Sequence, residues 1–435
     1  MMKRYIIVSL LIVVTSLTAC KKYFGDINTN PNSPSVVEPK IMLPGIEAAV
    51  SYTFGGDGAR FSAILNQQIK GVSRQWAVLE NYTFVGSDVE SMYETNIYPK
   101  ILMEIKNLKE ISTKNGYHHY NGIAKTLEAY TLLFLADFWN SAPYSDAFKG
   151  LDNIQPKFDS QTELYADVFQ LLAEARTDLS QTDGGAKVPA EDDIMYQGDV
   201  NKWIGLTNFI EARANLRLAK ADASKYQTAL TLVNSGLTND LVFPYSGGAF
   251  SNPMYQFILD WTDLSIGTRI DELMTTYNDP RSPIYSQPFE DGNTYFASNK
   301  SHVITSLIEQ EFIKAECNFR ISGSAAAHQF YLNGITLALQ SLSIPQTDID
   351  TYLAQNSIDP GVNNITLELI MNQKYLALFM EHESFTDWRR TGFPTLVPNT
   401  GSMIPRRFPT PQSELNLNGA NVPQSTIYST VDWDI

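Results

Sequence analysis

Gly122-Ile123-Ala124-Lys125-Thr126-Leu127-Glu128-Ala129-Tyr130-Thr131-Leu132-Leu133-Phe134-Leu135-Ala136-Asp137-Phe138 is the stretch whose reading decides the fold. Within it Leu127, Thr131, Phe134, Leu135 and Phe138 fall at offsets 0, 4, 7, 8 and 11, the recurrence of a helix that buries one face. A polar turn, Lys114-Asn115-Gly116, separates it from a second helical pattern over Ile97–Ile111. Trp203–Lys220 and Lys225–Val233 make another such pair. Leu164, Val168, Leu171, Leu172, Ala175 and Leu179 repeat the stripe, with Ser160 or Thr162 available as its cap. So do Ala327, Phe330, Tyr331, Ile335, Ala338 and Leu339, and again Ile365, Leu369, Leu376 and Phe379. Period matching predicts helices of about 15 to 20 residues, uncertain by a few residues at each end. Paired antiparallel helices of that size are the unit of tetratricopeptide-type solenoids. No strict repeat consensus is visible, so the class read here is all-α and repeat-like, without a register.

Working outward, 435 residues with 43% hydrophobic side chains can bury a large core, which rules out a disordered chain. Lys and Arg number 32 against 47 Asp and Glu, a net charge of −15 with no basic run beyond pairs. Nucleic-acid binding needs a clustered basic surface, so that class is excluded. The basic pairs Arg389-Arg390 and Arg406-Arg407 read as salt bridges that pin the tail to the helical body.

The first residues carry an address. Lys3 and Arg4 precede an apolar run, Tyr5 to Val14, too short to span a bilayer, where about 20 apolar residues are needed. Leu17-Thr18-Ala19-Cys20 follows in the order of a bacterial lipoprotein cleavage site. The expectation is a signal peptide over 1–19 and a lipid on Cys20, each buried methylene contributing about 0.8 kcal/mol to the anchor. Cys317 is then left alone on a helix face and reads as a buried, inert thiol. Residues 20–40, with Asn28-Thr29-Asn30-Pro31-Asn32-Ser33-Pro34, read as an extended tether, and 41–435 as one helical domain.

One block interrupts the helices. Residues 242–300 interleave prolines and glycines with Tyr245, Tyr255, Phe257, Trp261, Tyr277, Tyr285, Phe289, Tyr295 and Phe296, with a hairpin expected around Asp291-Gly292-Asn293. Long ordered loops on a helical scaffold are more often functional than decorative. The proline-rich tail after Gly392 is expected to pack back through Tyr428, Trp433 and Ile435. Sugars present apolar C–H faces that stack on Trp and Tyr rings, while amides and carboxylates bind their hydroxyls. Trp76, Tyr82, Tyr255, Trp261 and Tyr295 are the candidate ligand-binding residues, expected to give at least one exposed platform.

Catalytic patterns fail one after another. His382-Glu383-Ser384-Phe385-Thr386 begins like a zinc helix, but Thr386 stands where the second histidine is required. Gly71-Val72-Ser73-Arg74-Gln75 lacks the last glycine of a nucleophile elbow. Asp26, Asn28 and Asn30 lack the glycine and the bidentate glutamate of a calcium loop. Paired carboxylates such as Asp192/Asp193 or Glu381/Glu383 could serve glycoside cleavage only across a cleft, which spacing does not reveal. No cofactor, metal or catalytic residue is expected. The rival classes are an extracellular glycoside hydrolase and a purely structural surface module.

Taken together, these segments resemble the SusD/RagB family of outer-membrane nutrient-binding lipoproteins, in its SusD-like second subgroup. The resemblance runs nearly end to end: the Cys20 site, Asp26 to Pro34, Met42-Leu43-Pro44-Gly45, and Ala136-Asp137-Phe138-Trp139-Asn140-Ser141-Ala142-Pro143-Tyr144-Ser145-Asp146-Ala147. It continues through Lys202-Trp203, Asn215 to Ala219, Asp279-Pro280-Arg281 and Phe312 to Glu316. Most specific are Asp387-Trp388-Arg389-Arg390-Thr391-Gly392-Phe393-Pro394 and Ile404 to Asn416. Asn140-Ser141-Ala142-Pro143 departs from the family's usual glycine-acid-isoleucine-proline. The resemblance implies tetratricopeptide-like helix pairs, no catalytic activity, and capture of an oligosaccharide or other nutrient at the outer membrane. It also implies a SusC-like TonB-dependent transporter as partner. Ligand-contacting aromatics vary among members, so no binding residue transfers.

Overall fold

The computed structural model describes residues 37–435 apart from 183, 261, 287–294 and the side chains of 259 and 260. Cys20, the signal segment, nearly all of the tether, Trp261 and the expected hairpin at 291–293 lie outside the described residues. A short N-terminal unit, Met1–Glu38, is distinguished from the body, Pro39–Ile435.

Helix dominates, 58% against 4% strand, so the all-α class holds. The body is built from α1 (Pro39–Thr53), α2 (Met103–Asn115), α3 (His118–Trp139), α4 (Gln161–Leu179), α5 (Val200–Leu218) and α6 (Ser224–Asn234). After the insertion come α7 (Leu307–Ser322), α8 (Ser324–Ser341), α9 (Leu367–Ala377) and α10 (Glu383–Thr391). α2 and α3 form the first pair around Gly116, which caps α2 at φ 69°, a left-handed conformation that glycine adopts without a Cβ clash. α3 is buried along nearly all its length and packs against α2, α4 and α5. Ser160 is the cap of α4: Glu163 N–H donates to its hydroxyl at 3.3 Å and Ser160 N–H donates to the Glu163 carboxylate at 2.7 Å.

Three expectations need correction. The helical pattern from Ile97 belongs to a π-helical run, Ser91–Leu102, which carries Pro99 and leads into α2. Ile365 falls outside α9 because Thr366 caps that helix with a hydroxyl that accepts from Leu369 N–H at 3.1 Å, and Phe379 falls outside it beyond the C-cap Leu378. The insertion is less loop-rich than its prolines imply. It holds helices Pro253–Asp260, Thr268–Thr276 and Ser282–Tyr285. Its base is clamped where β2 (Leu241–Phe243) pairs antiparallel with β4 (His302–Thr305). Between them β3 (Leu264–Ile266) pairs antiparallel with β1 (Ile69–Gly71), tying the insertion to the N-terminal part of the body.

Buried charges join the helices. Arg213 on α5 pairs with Glu309 on α7, and Arg217 pairs with Glu383 and Asp137. Lys374 on α9 reaches Asp387 on α10 at 2.6 Å, while Arg390 pairs with Glu316 and, at 2.7 Å, with Asp387. Charges this deep persist only when paired or hydrogen-bonded. The tail folds back as expected through Trp433, whose indole N–H donates to Asp137 at 2.8 Å, and through Arg406, bonded to Asp434 at 2.7 Å. Arg389 and Arg407 instead donate to the backbone carbonyls of Asp137 and Trp139, and burial pulls both guanidinium groups down to about 10. Tyr428 and Ile435 stay exposed. Cys317 is buried, as expected, and burial pushes its thiol up. Among the described residues no helix is long and apolar enough to cross a membrane.

Candidate ligand-binding cavity

A cavity of about 330 Å³ opens where the insertion meets the residues flanking β4 and following α9. Its floor depends on close backbone approach. Gly55, in the π-helical turn Phe54–Gly58, lies against the His302 ring so closely that an added Cβ would sit 2.6 Å from Cε1. His302 Nδ1 is 3.0 Å from the Ser51 hydroxyl, which is 2.9 Å from the Tyr245 hydroxyl. Burial pulls His302 down to about 4, so its imidazole is neutral at pH 7.

The aromatic wall is a cluster rather than a platform. Tyr285 and Phe379 stack at 4.3 Å, Tyr295 meets Tyr285 edge-on at 5.3 Å, and Phe296 meets Tyr295 edge-on at 4.8 Å. The Tyr295 hydroxyl donates to the Phe379 carbonyl at 3.1 Å. These rings pack on one another, which stiffens the wall.

Polar groups complete the lining. Asn252 staples the insertion, donating to the Lys300 carbonyl and accepting from Met254 N–H, both at 2.8 Å. Asp240 accepts from Leu307 N–H at 2.7 Å, at the start of α7. Glu381 is different: among the described residues no group donates to its carboxyl, although it lines the cavity. Burial pushes that carboxyl well up, Glu309, Asp240 and Glu383 add to the rise, and Arg213 opposes it. Lys300 lies on the exposed side of the lining.

Of the residues picked from sequence, Tyr295 lines the cavity, and Tyr255 is half-buried on the helix whose Pro253 and Met254 line it. Trp76 and Tyr82 are each only 4% exposed and offer no open face. Trp76 is boxed edge-on by Phe61 and Phe257 with the Arg60 guanidinium 5.2 Å from its ring, because the insertion helix settles over it. The Tyr82 hydroxyl accepts from Asn399 N–H at 3.2 Å and is covered by the tail. Sequence reasoning missed His302 and Asp240, and took Phe379 for a helix-stripe residue. Glu381 entered only as a partner for Glu383, yet the structure separates their roles, since Arg217 and Arg213 engage Glu383. The proximity of β2 and β4, which brings Asp240 and His302 to one cavity, leaves no periodic signal in either segment.

The architecture is that of a helix-pair scaffold carrying an insertion, with a cavity where the insertion meets the body. Residues 31–411 match a family described as SusD-like, starch-binding associating with outer membrane, and the chain belongs to that family. Its members are binding proteins, not enzymes, and this chain is one of them. Among curated proteins no match is found. Among solved structures, a SusD/RagB family protein from Bacteroides thetaiotaomicron superposes with a TM-score of 0.74 at 23% identity, covering 92% of this chain and 99% of that one. A chitin-binding SusD homolog from Flavobacterium johnsoniae gives 0.76 at 19% identity, with 91% and 98% covered. A SusD homolog from Bacteroides fragilis gives 0.75 at 20%, with 92% and 99% covered. At these identities the likeness establishes the fold.

Proposed function

We propose that the protein is a cell-surface lipoprotein, anchored through Cys20, that captures oligosaccharides and hands them to a SusC-like TonB-dependent outer-membrane transporter. The observation that carries the reading is the family match over residues 31–411, whose description is of starch binding at the outer membrane. A chitin-binding relative of the same fold supports a carbohydrate as ligand. The aromatic and polar lining of the 330 Å³ cavity, roughly the size that encloses one or two sugar units, supports the insertion as the place of capture. Tyr255 and Tyr295 remain the candidate contacts from the original set, joined by Glu381, Asp240 and His302.

An oligosaccharide array probed with the purified protein tests the reading. Binding to at least one glycan class is expected, whereas silence on both the array and a peptide panel favours a structural surface module. Transport partnership is tested separately: affinity capture from detergent-solubilised outer membranes should recover a TonB-dependent barrel, and fatty-acid labelling should mark the wild-type chain but not Cys20→Ser.

A further inference from the structure

A second concavity, of about 210 Å³, lies between the loop that follows α3 and the short tail helix Gln412–Leu417, with Tyr93 and Tyr98 of the π-helical run in its lining. Aliphatic side chains on both flanks face solvent: Leu151 is 97% exposed, Ile154 73% and Leu417 69%. The loop that carries the first two is braced. Asn153 Nδ2 donates to the Asp146 carboxylate at 2.6 Å, Gln155 Nε2 to the Leu417 carbonyl at 2.8 Å, and Asn418 Nδ2 to the Pro156 carbonyl at 2.9 Å. Apolar side chains gathered at a braced groove, rather than scattered singly, mark a contact surface. The groove offers little to a sugar, because the Tyr93 hydroxyl donates to the Tyr98 hydroxyl at 3.2 Å and Tyr98 donates to the Pro143 carbonyl at 2.7 Å. Both phenolic protons are thereby spent. Its charge is one-sided: Glu94 and Glu414 belong to the lining and, among the described residues, no lysine or arginine does. Burial and the neighbouring Glu94 push the Glu414 carboxyl up, the response of an acid that faces an acid.

Resting on the transporter reading above, we propose that this groove is the docking site for a loop of the barrel partner, one that sets an aliphatic side chain between Ile154 and Leu417 and a lysine or arginine against Glu94 and Glu414. The aliphatic side chain takes apolar surface on both flanks out of water. The cation answers two carboxylates that lack one and fixes the register of the contact. Charge separates this occupant from the others. A second copy of the chain, meeting this one about a two-fold axis, would set the same acids against each other. A membrane surface rich in anionic head groups would be repelled by them.

Photo-crosslinking in cells that make the full chain tests this. Benzoylphenylalanine placed at position 151 or 417 should attach to a TonB-dependent barrel, identified by mass spectrometry, with at least fivefold more product than the same probe at Ile321, a partly exposed residue at the end of α7. Glu94→Lys, a change at an exposed position, should cut the yield from position 151 at least threefold while leaving the unfolding midpoint within a few degrees. Adding Glu414→Lys should cut it further. Equal yield from Ile321, or a yield that survives Glu94→Lys, overturns the docking assignment while the transporter partnership stands. So does a barrel that affinity capture recovers but that neither 151 nor 417 marks, and so do products joining the chain to itself in place of the barrel. Absence of a barrel product from all three positions, with affinity capture also recovering none, overturns the partnership itself.

Discussion

Replacing Glu316 with Gln removes the anion facing both terminal nitrogens of the Arg390 guanidinium, deep between α7 and α10. The two side chains are 0% and 2% exposed, so neither bulk water nor a distant ion can substitute. Breaking one buried ion pair by deleting a partner costs about 3–5 kcal/mol. Counting two charge-assisted hydrogen bonds at about 1.5–3 kcal/mol each gives a similar range. Arg390 keeps its 2.7 Å contact with Asp387, and Gln retains one acceptor, which together place the expected loss near the lower end, about 3 kcal/mol. Guanidinium denaturation at pH 7, followed by far-ultraviolet circular dichroism, measures it if the slope of the transition is unchanged. The double replacement Glu316→Leu with Arg390→Met removes both charges at once and should recover at least half of the loss, because no orphaned cation remains. A Glu316→Gln protein within about 1 kcal/mol of wild type would refute the claim that these charges hold the two helices together.

Other consequences follow from the same structure. Gly55→Ala should destabilise by about 1–3 kcal/mol, since its Cβ meets the His302 ring at 2.6 Å and the ring must shift; calorimetric unfolding and the His302 imidazole resonances report both effects. His302 and His382 are pulled down to about 4 and about 3, chiefly by burial, so between those values and about 6.5 the unfolded chain binds more protons than the folded one. Stability should therefore fall as the pH drops from 6.5 toward 4, and His302→Gln should flatten part of that slope in denaturation midpoints taken across the range. Glu47 has the opposite sign: burial, with Asp193 beside it, pushes its carboxyl well up, so its contribution is present below about 4.5 and fades as the pH rises through the folded value. Glu47→Gln should thus gain on wild type as midpoints are followed from pH 5 to pH 9, and a constant difference would contradict the assignment.

The helical scaffold was legible because burial on one face imposes a period, and the stripes on α3, α4 and α8 are long enough to show it. Boundaries were less so. Thr366 moved one helix start by a side-chain bond, and the π-helical run before α2 shares its apolar residues with an ordinary helix. The cavity was legible only in part. The density of rings in 242–300 drew attention to the insertion, and Tyr295 lies in the cavity wall, but composition does not tell an exposed ring from one packed under Arg60 and Phe257, as Trp76 is. Glu381 and His302 belong to segments separated in sequence, and only the pairing of β2 with β4 and the course of the chain after α9 make them neighbours. Such convergence is a tertiary fact, without a local pattern to announce it.

The central claim is that a carbohydrate is held inside the cavity of the insertion, and filling that space tests it most directly. Ser301 lines the cavity and is partly buried, so Ser301→Trp introduces an indole where the ligand would lie. Titrating the tightest-binding array glycan into this variant and into wild type should show affinity lost by at least a hundredfold with the unfolding midpoint preserved; undiminished affinity in a folded variant would contradict the account.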